Sequence, residues 1–444
     1  MNQHRHRTDT ESLVAYRALL LITAVSILAT SCGSNLSDSD DASRSWQGTT
    51  IREGPTLTVR TTGGSLWGGS GRLVEETAIG TETRGEYDLL GQVVGMEATA
   101  DRVYVLDRLA AAIRVYDTAG NHVLSIGRPG QGPGELQAPT ALGIDPSRGH
   151  LVVRESVAGK LHRFKLSGEY LWSTRPSLQG GIFGAGKLLR VTSDGVTIVP
   201  NFAYRRAPDT ELGYVSTTIL YTLDSTGARV DSLPLPEYEH EQFVLTAMAG
   251  RESYRPEPVP FGPQEVWAMG WDGSLVTGYS ADYRFEIRYP DGRVTVIERE
   301  TDPVEVLPGE KTWATDRAYG ILRSIDPAWR WNGPGIPATK PWYDDIIPDR
   351  SGRLWVLREG EGRKVEGWTE PDGWREWERN PGWVPDRWFE VFEEATGRYL
   401  GRVNAPEGFV AAPEPVIEGD RFVCLTEDAI GRPIVRRYRL VLPA

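Results

Sequence analysis

The chain has 444 residues, of which 25% are charged and 39% are hydrophobic, as in a globular protein and unlike a disordered or multi-span membrane chain. Its formal charge of −12 argues against a nucleic-acid partner, because a sequence-blind binder needs a basic face. The 49 glycines and 30 prolines exceed the usual share of roughly 12% and predict many tight turns. Composition therefore favours a turn-rich β protein.

The first 31 residues have the features of a secretory signal. Basic residues precede the apolar run 18–29, which is too short to span a bilayer as a helix. The run continues into Cys32 through a segment that resembles the bacterial lipoprotein box, although Ala29 stands where that box prefers leucine. The resemblance implies that Cys32 is acylated and that Gly33 permits export to the outer membrane of a Gram-negative-type bacterium. An ordinary signal peptide with a chance cysteine is the alternative.

The second cysteine, Cys424, lies far from the first, within the apolar run 421–425. Acylation of Cys32 would leave Cys424 without a partner, so we expect no intrachain disulfide and predict a buried structural thiol.

Close to the first cysteine, residues 34–45 are rich in Ser and Asp and cannot bury a core. We therefore expect residues 32–50 to comprise the acylated cysteine and a flexible tether.

A repeated pattern determines the predicted architecture. Five segments each contain a β-rich run, a turn that ends in glycine and a second β-rich run, as in a β-hairpin. The five turn glycines are Gly120, Gly168, Gly227, Gly292 and Gly397. A further hairpin precedes each segment, so each unit has four antiparallel strands, which is the composition of one propeller blade.

A sixth unit at the C-terminus is incomplete. Residues 415–425 supply two strands and residues 434–442 a third, but no fourth strand follows. Because an open sheet edge is a liability, we expect an N-terminal strand at 56–61 to complete this blade. The sequence therefore predicts an all-β fold, a six-bladed β-propeller over residues 51–444 with four-stranded antiparallel blades.

The glycine-rich connector 127–140 carries a family resemblance. Together with segments 260–263 and 348–356, it resembles NHL/TolB-like six-bladed propeller proteins of bacterial envelopes. The resemblance implies the fold and supplies no catalytic residues. The connector lacks the Lys and Ser/Thr of a phosphate-binding loop, so its glycines and prolines are expected to shape the crossing between blades, with ligand contact as the alternative. Glu135 is expected to accept backbone N–H groups within it.

Three insertions interrupt the repeats, at about 238–264, 301–341 and 361–386. The second contains a predicted helix, 308–325, whose apolar residues follow helical spacing and would pack on the propeller. These residues are Ala314, Ala318, Ile321, Leu322 and Ile325. The third is rich in tryptophan, with Trp368, Trp374, Trp377 and Trp383 as candidate ligand-binding residues. Their rings either form a recognition surface or fix a long loop onto the propeller.

Three residues before the inner strand of the fifth blade are further candidates for ligand binding. Because inner strands line the channel of a propeller, we predict that Tyr343, Asp344 and Asp345 lie at the channel mouth. Catalytic motifs are sparse, since the HExxH, GxSxG and strict calcium-loop patterns are absent from the sequence. We therefore assign neither a catalytic residue nor a resident cofactor.

Two functional classes remain open. The first is a lipid-anchored, monomeric envelope module that binds a protein, peptide or glycan through the face that carries the insertions. The second is a propeller-type lyase or hydrolase that uses a divalent metal in the channel.

Overall fold

The structure is a computed structural model that describes residues 45–81, 85–178, 187–206, 214–236, 243–249, 253–365 and 382–443. Four residues singled out in the sequence, Cys32, Trp368, Trp374 and Trp377, lie outside the described residues. Within the described part of the chain, no helix is long and apolar enough to cross a bilayer.

Strands dominate the structure and group into blades. The N-terminal strands are β1 (Gln47–Glu53), β2 (Thr56–Gly63) and β3 (Arg72–Ile79), followed by a 3-10 turn at Glu86–Asp88. Blade 1 consists of β4 (Val93–Ala98), β5 (Arg102–Asp107), β6 (Ala112–Asp117) and β7 (His122–Ile126). Blade 2 consists of β8 (Ala141–Asp145), β9 (His150–Glu155), β10 (Lys160–Lys165) and β11 (Tyr170–Thr174). Blade 3 consists of β12 (Arg190–Val191), β13 (Thr197–Arg206), β14 (Tyr214–Leu223) and β15 (Arg229–Pro234).

The second half of the chain contains three more blades and two inserted elements. A hairpin of β16 (Val244–Ala249) and β17 (Ser253–Pro258) follows blade 3. Blade 4 consists of β18 (Glu265–Met269), β19 (Leu275–Tyr279), β20 (Arg284–Arg288) and β21 (Val294–Arg299), and the helix α1 (Pro308–Arg323) follows it. Blade 5 consists of β22 (Asp345–Pro348), β23 (Arg353–Lys364), β24 (Trp383–Glu393) and β25 (Tyr399–Asn404). Blade 6 contains β26 (Phe409–Val410), β27 (Val416–Glu418), β28 (Arg421–Glu427) and β29 (Pro433–Val441).

The predicted hairpins are confirmed. In blades 1 to 5 consecutive strands are neighbours and pair antiparallel. The five turn glycines connect the third and fourth strands, and their φ angles lie between 69° and 96°. An L side chain seldom adopts such angles, which explains why glycine recurs at this position of the repeat. These local turns account for the outer hairpins of blades 1 to 5.

The strand predicted to close the sixth blade is the wrong one. β3 pairs antiparallel with β29, with Ile79 opposite Val435 and Arg72 opposite Val441. The segment 56–61 lies in β2, which instead pairs in parallel with β21 at the outer edge of blade 4. β1 then pairs with β2, so that sheet has six strands. The physical reason is continuity, since β3 directly precedes blade 1 and leads the chain from the outer strand of blade 6 to the inner strand β4.

The hydrophobic core is divided among the interfaces between neighbouring blades. At the interface of blades 5 and 6, the rings of Trp355, Phe389 and Phe422 are completely buried and contact one another. Cys424 belongs to the same cluster, and burial raises the pKa of its thiol. The predicted buried structural thiol is therefore confirmed. Each interface of this kind holds two blades together by removing apolar surface from water.

The predicted helix forms, with its apolar face on a small core of its own. Ala314, Ala318, Ile321 and Leu322 are buried. They pack against β16 and against Trp329, rather than directly on a blade. The difference arises because the first insertion supplies the β16–β17 hairpin, and the two insertions together bury apolar surface that neither could bury alone.

Candidate functional site

A cavity of about 470 Å³ lies beside α1, between the loop 257–264 and the start of blade 5. We call it the α1 cavity. Its apolar wall comes from Trp313, Ile321 and Phe261, and its polar side carries Asp344, Asp345, Glu359 and Arg387. This volume and this mixture of apolar and few polar groups are typical of small-ligand sites.

The helix that forms one wall is fixed in place by a buried ion pair. The Lys340 ammonium lies 2.7 Å from the Glu310 carboxylate, and the two side chains are 1% and 2% exposed. Lys340 also donates to the carbonyl of Gly360 on β23, at 2.7 Å. The second oxygen of Glu310 accepts the N–H of Leu307 at the start of the helix. These contacts join the first turn of α1 to blade 5.

Trp383 supports the same end of the helix. Its side chain is half-buried, and a Cβ atom placed on Gly309 would lie 2.3 Å from its Cζ2 atom. The indole therefore packs directly on the first turn of α1, which is a role in fixing an insertion rather than in forming an open surface. The other three candidate tryptophans of this insertion lie outside the described residues.

Phe261, which also lines the cavity, has an unusual backbone conformation. Its φ angle is 58°, in the left-handed region that bulky residues seldom adopt. The Lys340 ammonium lies 5.1 Å from the centre of its ring. Strained residues of this kind concentrate at binding sites, because the surrounding contacts must hold them.

The structure separates the three residues predicted at the channel mouth. Tyr343 is completely buried between blades 4 and 5 and donates its hydroxyl to the carbonyl of Arg284 at 2.8 Å. Asp344 and Asp345 instead line the α1 cavity. The backbone bends at Asp344, directly before β22, and this bend accounts for the separation of Tyr343 from Asp344.

Asp345 belongs to an ion-pair network that extends into the channel. Its Oδ1 atom lies 2.5 Å from the Lys187 ammonium, which is 3.9 Å from Glu414. Glu414 in turn pairs with Arg190 at 2.6 Å. Burial raises the pKa of Asp345; Lys187 opposes this rise.

Asp344 differs from its neighbour because its carboxyl group has no partner. Glu359 pairs with Arg387 at 2.6 Å, but the side chain of Asp344 makes no hydrogen bond or ion pair with any described residue. Its Oδ2 atom is buried without a hydrogen-bond partner, so a ligand in the cavity would pair with the carboxyl group through Oδ1. Burial raises the pKa of Asp344 well above its usual range, and the charge of Glu359 adds to the rise. Among the described residues, Asp344 is therefore the one carboxyl group of the cavity lining that makes no hydrogen bond or ion pair.

A small cavity of about 50 Å³ lies on the channel side, among the inner strands of blades 1, 2, 3 and 6, and we call it the channel cavity. Its charged lining residues are paired. The guanidinium groups of Arg190 and Arg350 each lie 4.3 Å from the centre of the Trp271 ring, and Arg350 also pairs with Glu97. Among the described residues, no group of three or more His, Cys, Asp or Glu side chains is arranged to hold a metal ion.

The glycine-rich connector is held by carboxylates. Glu135 accepts the N–H of Gly132 at 2.8 Å, as predicted, and pairs with Arg128 at 2.9 Å. Glu155 accepts the N–H of Ala138 at 3.1 Å and contacts His162 at 2.9 Å. These bonds use the polar groups of the loop to connect blades 1 and 2.

Several residues of the site gave no signal in the sequence. They are Lys187, Trp313, Glu359, Arg387 and Glu414. Lys187 lies outside the repeated hairpins and is 158 positions from Asp345, so only the closed ring brings the two together. Glu359 and Arg387 lie at facing positions of one hairpin. No motif marks them, but the antiparallel register of this hairpin would have predicted their pairing.

Comparison with known proteins agrees with the fold. Residues 77–178, from the end of β3 through blade 2, match the DUF5128 family, which is described as a 6-bladed beta-propeller. No curated protein matches the chain.

Several solved structures are similar over most of their length. A member of the DUF4221 family from Bacteroides vulgatus is 12% identical, with a TM-score of 0.49 and coverage of 84% of this chain and 99% of that one. An exported protein from Bacteroides fragilis is 11% identical, with a TM-score of 0.41 and coverage of 84% and 95%. Virginiamycin B lyase from Staphylococcus aureus is 11% identical, with a TM-score of 0.33 and coverage of 79% and 95%. At these values the similarities carry no argument about function.

Proposed function

We propose that this propeller is a ligand-binding module of the cell envelope and that the α1 cavity is its binding site. The observation that supports the proposal is the carboxyl group of Asp344, which has no partner among the described residues and lies in a cavity of about 470 Å³ lined partly by aromatic rings. A buried polar group without a partner costs free energy unless a ligand satisfies it. The ligand is an envelope protein, a peptide or a glycan.

A cavity-filling substitution tests this proposal. Ala411 lines the cavity and is half-buried, so Ala411→Trp would place an indole inside it. Ala395 is exposed in a turn of blade 5 and outside the cavity, which makes Ala395→Trp a matched control. Full-length protein in detergent would be immobilised and exposed to peptide and oligosaccharide fractions of the envelope. A component that the parent and the control retain should be lost with Ala411→Trp. Equal retention by all three proteins would contradict the proposal.

We further propose that the module is held on the membrane by acylation of Cys32. Two or more acyl chains hold a protein firmly on a bilayer, whereas one chain is marginal. Cys32→Ser should therefore move the protein from the detergent-soluble membrane fraction to a soluble or unprocessed form. Unchanged membrane association of the variant would exclude the lipid anchor.

A further inference from the structure

Among the described residues, the acidic side chains that line the α1 cavity are paired, with one exception. Asp345 pairs with Lys187 at 2.5 Å, and Glu359 pairs with Arg387 at 2.6 Å. Glu257, in β17, lies 3.5 Å from Arg255. Asp344 is left with no partner among the described residues. A cationic group placed against Asp344 would complete the pairing.

The surroundings of Asp344 favour a cation over an anion. Four charged groups face it: Asp345 beside it, Glu359 on β23, Arg387 on β24 and Lys340 ahead of β22. Glu257 and Arg317 lie farther along the lining. Both nearby cations are already engaged, since Arg387 binds Glu359 and Lys340 binds Glu310. An anionic ligand would therefore meet further negative charge without a free counter-ion from these groups.

The opposite wall is apolar and aromatic. Trp313 and Phe261 are only partly buried by the protein, so part of each ring faces the cavity. Ile321 adds an aliphatic surface between them and the helix core. Aromatic faces attract both apolar groups and the alkyl stems of cations.

We infer that the α1 cavity binds a ligand that joins a cationic nitrogen, an ammonium or a guanidinium, to an apolar group. The cation pairs with the carboxylate of Asp344, and the apolar group lies against Trp313 and Phe261. The inference rests on the proposed function and specifies its ligand chemistry, for which the side chain of a basic residue next to an apolar residue in a peptide is one source.

Three probes with the same aromatic body test the inference. They are phenethylamine, 2-phenylethanol and 3-phenylpropionate, which present a cation, a neutral hydroxyl and an anion. Calorimetric titration of the full-length protein in detergent should show the amine binding about tenfold or more tightly than the alcohol, and the carboxylate binding most weakly.

Substitutions of matched charge assign the preference to one residue. Asp344→Asn should weaken the amine about tenfold and leave the alcohol nearly unchanged. Asp316→Asn is the control, because Asp316 lies on α1, is exposed and does not line the cavity. Asp344→Asn removes a buried uncompensated acid, so the variant should fold with an unchanged or higher melting temperature.

The pH dependence gives a readout that needs no variant. Only the carboxylate form of Asp344 pairs with a cation, so amine affinity should rise with pH through the raised pKa of Asp344 and then level off. The alcohol should show no such rise, and Asp344→Asn should abolish it.

The possible outcomes separate this inference from the proposed function. If the alcohol or the carboxylate binds as tightly as the amine, and Ala411→Trp abolishes that binding, the cation inference is wrong while the cavity remains a binding site. If Asp344→Asn leaves amine binding intact, the inference is likewise wrong. If no probe shows binding that Ala411→Trp abolishes at concentrations up to about 10 mM, both proposals fail.

Discussion

The channel cavity and the α1 cavity are linked by the ion pair of Lys187 with Asp345, and their charges are arranged differently. At the channel cavity, Asp345 and Glu414 are matched by Lys187 and Arg190, and the volume of this cavity is about 50 Å³. In the α1 cavity, about 470 Å³ remains open and the carboxyl group of Asp344 has no partner among the described residues. Paired buried charges make the channel cavity a structural element, whereas the unpaired carboxyl group beside an open volume is the basis of our proposal of a binding site.

The ion pair that fixes the cavity wall should have the largest effect on stability. Lys340→Met would leave Glu310 buried without a counter-ion, and we expect a loss of about 3–5 kcal/mol in the free energy of unfolding. Lys165→Met removes a lysine from an exposed pair with Glu169 and should cost less than about 1 kcal/mol. Urea unfolding of the two variants measures both values. Equal effects would mean that the buried pair does not hold α1 on blade 5.

Removing the shared cation of the channel network should also lower the free energy of unfolding, but by less than Lys340→Met. Lys187 and Asp345 are 13% and 19% exposed, so water screens them more than the pair of Lys340 and Glu310. Lys187→Met should cost about 2–3 kcal/mol, because Asp345 and Glu414 then lie close together without their shared cation. Adding Asp345→Asn should recover part of this loss. A double variant whose loss equals the sum of the single losses would show that the pair is not coupled.

The contact between Trp383 and α1 should have an intermediate effect. Trp383→Ala should cost about 2 kcal/mol, less than the roughly 3–5 kcal/mol of a fully buried ring, since this indole is half-buried. Gly309→Ala should destabilise the parent by about 1 kcal/mol, because its Cβ would meet the indole.

The same Gly309→Ala change should stabilise the Trp383→Ala protein by about 0.5 kcal/mol, as expected for alanine in a helix. Chemical unfolding of the four proteins completes this cycle. Identical effects of Gly309→Ala in the two backgrounds would show that the indole does not pack on the helix.

A buried acid away from the cavity should have the smallest effect, visible as a pH dependence. Burial raises the pKa of Glu394 to about 7, with a further contribution from Asp272 and an opposing hydrogen bond from Ser274. This pKa is higher in the folded than in the unfolded chain. The contribution of protonated Glu394 to the free energy of unfolding is therefore fully present below about pH 4.5 and is lost as the pH rises through 7.

The parent should lose free energy of unfolding between about pH 5 and about pH 8, and Glu394→Gln should remove about 1–2 kcal/mol of that loss. This value allows for the partial exposure of Glu394. Asp344→Asn should act in the same direction, since burial also raises the pKa of Asp344. Urea midpoints of the parent and the two variants across this pH range measure both contributions. A parent whose stability rises with pH over that window would contradict the assignment.

The candidate site was only partly accessible to prediction from the sequence. The position of Asp344 and Asp345 at the start of the inner strand of blade 5 predicts a ligand-binding role for both, and both line the cavity. The same argument includes Tyr343, which faces the core instead. Proximity along the chain locates a segment, whereas the side that each residue faces depends on the backbone of that segment.

The sequence by itself determined the repeated hairpins and the helix. Gly120 and its equivalents specify tight turns through their own φ angles, and the spacing of Ala314, Ala318 and Ile321 specifies a helix, so both signals act within a few residues. Only the tertiary structure decided which N-terminal strand closes the ring and which cation matches each buried acid. Those choices depend on contacts between distant residues, such as Lys187 with Asp345 across 158 positions. Local sequence patterns contain no information about such contacts.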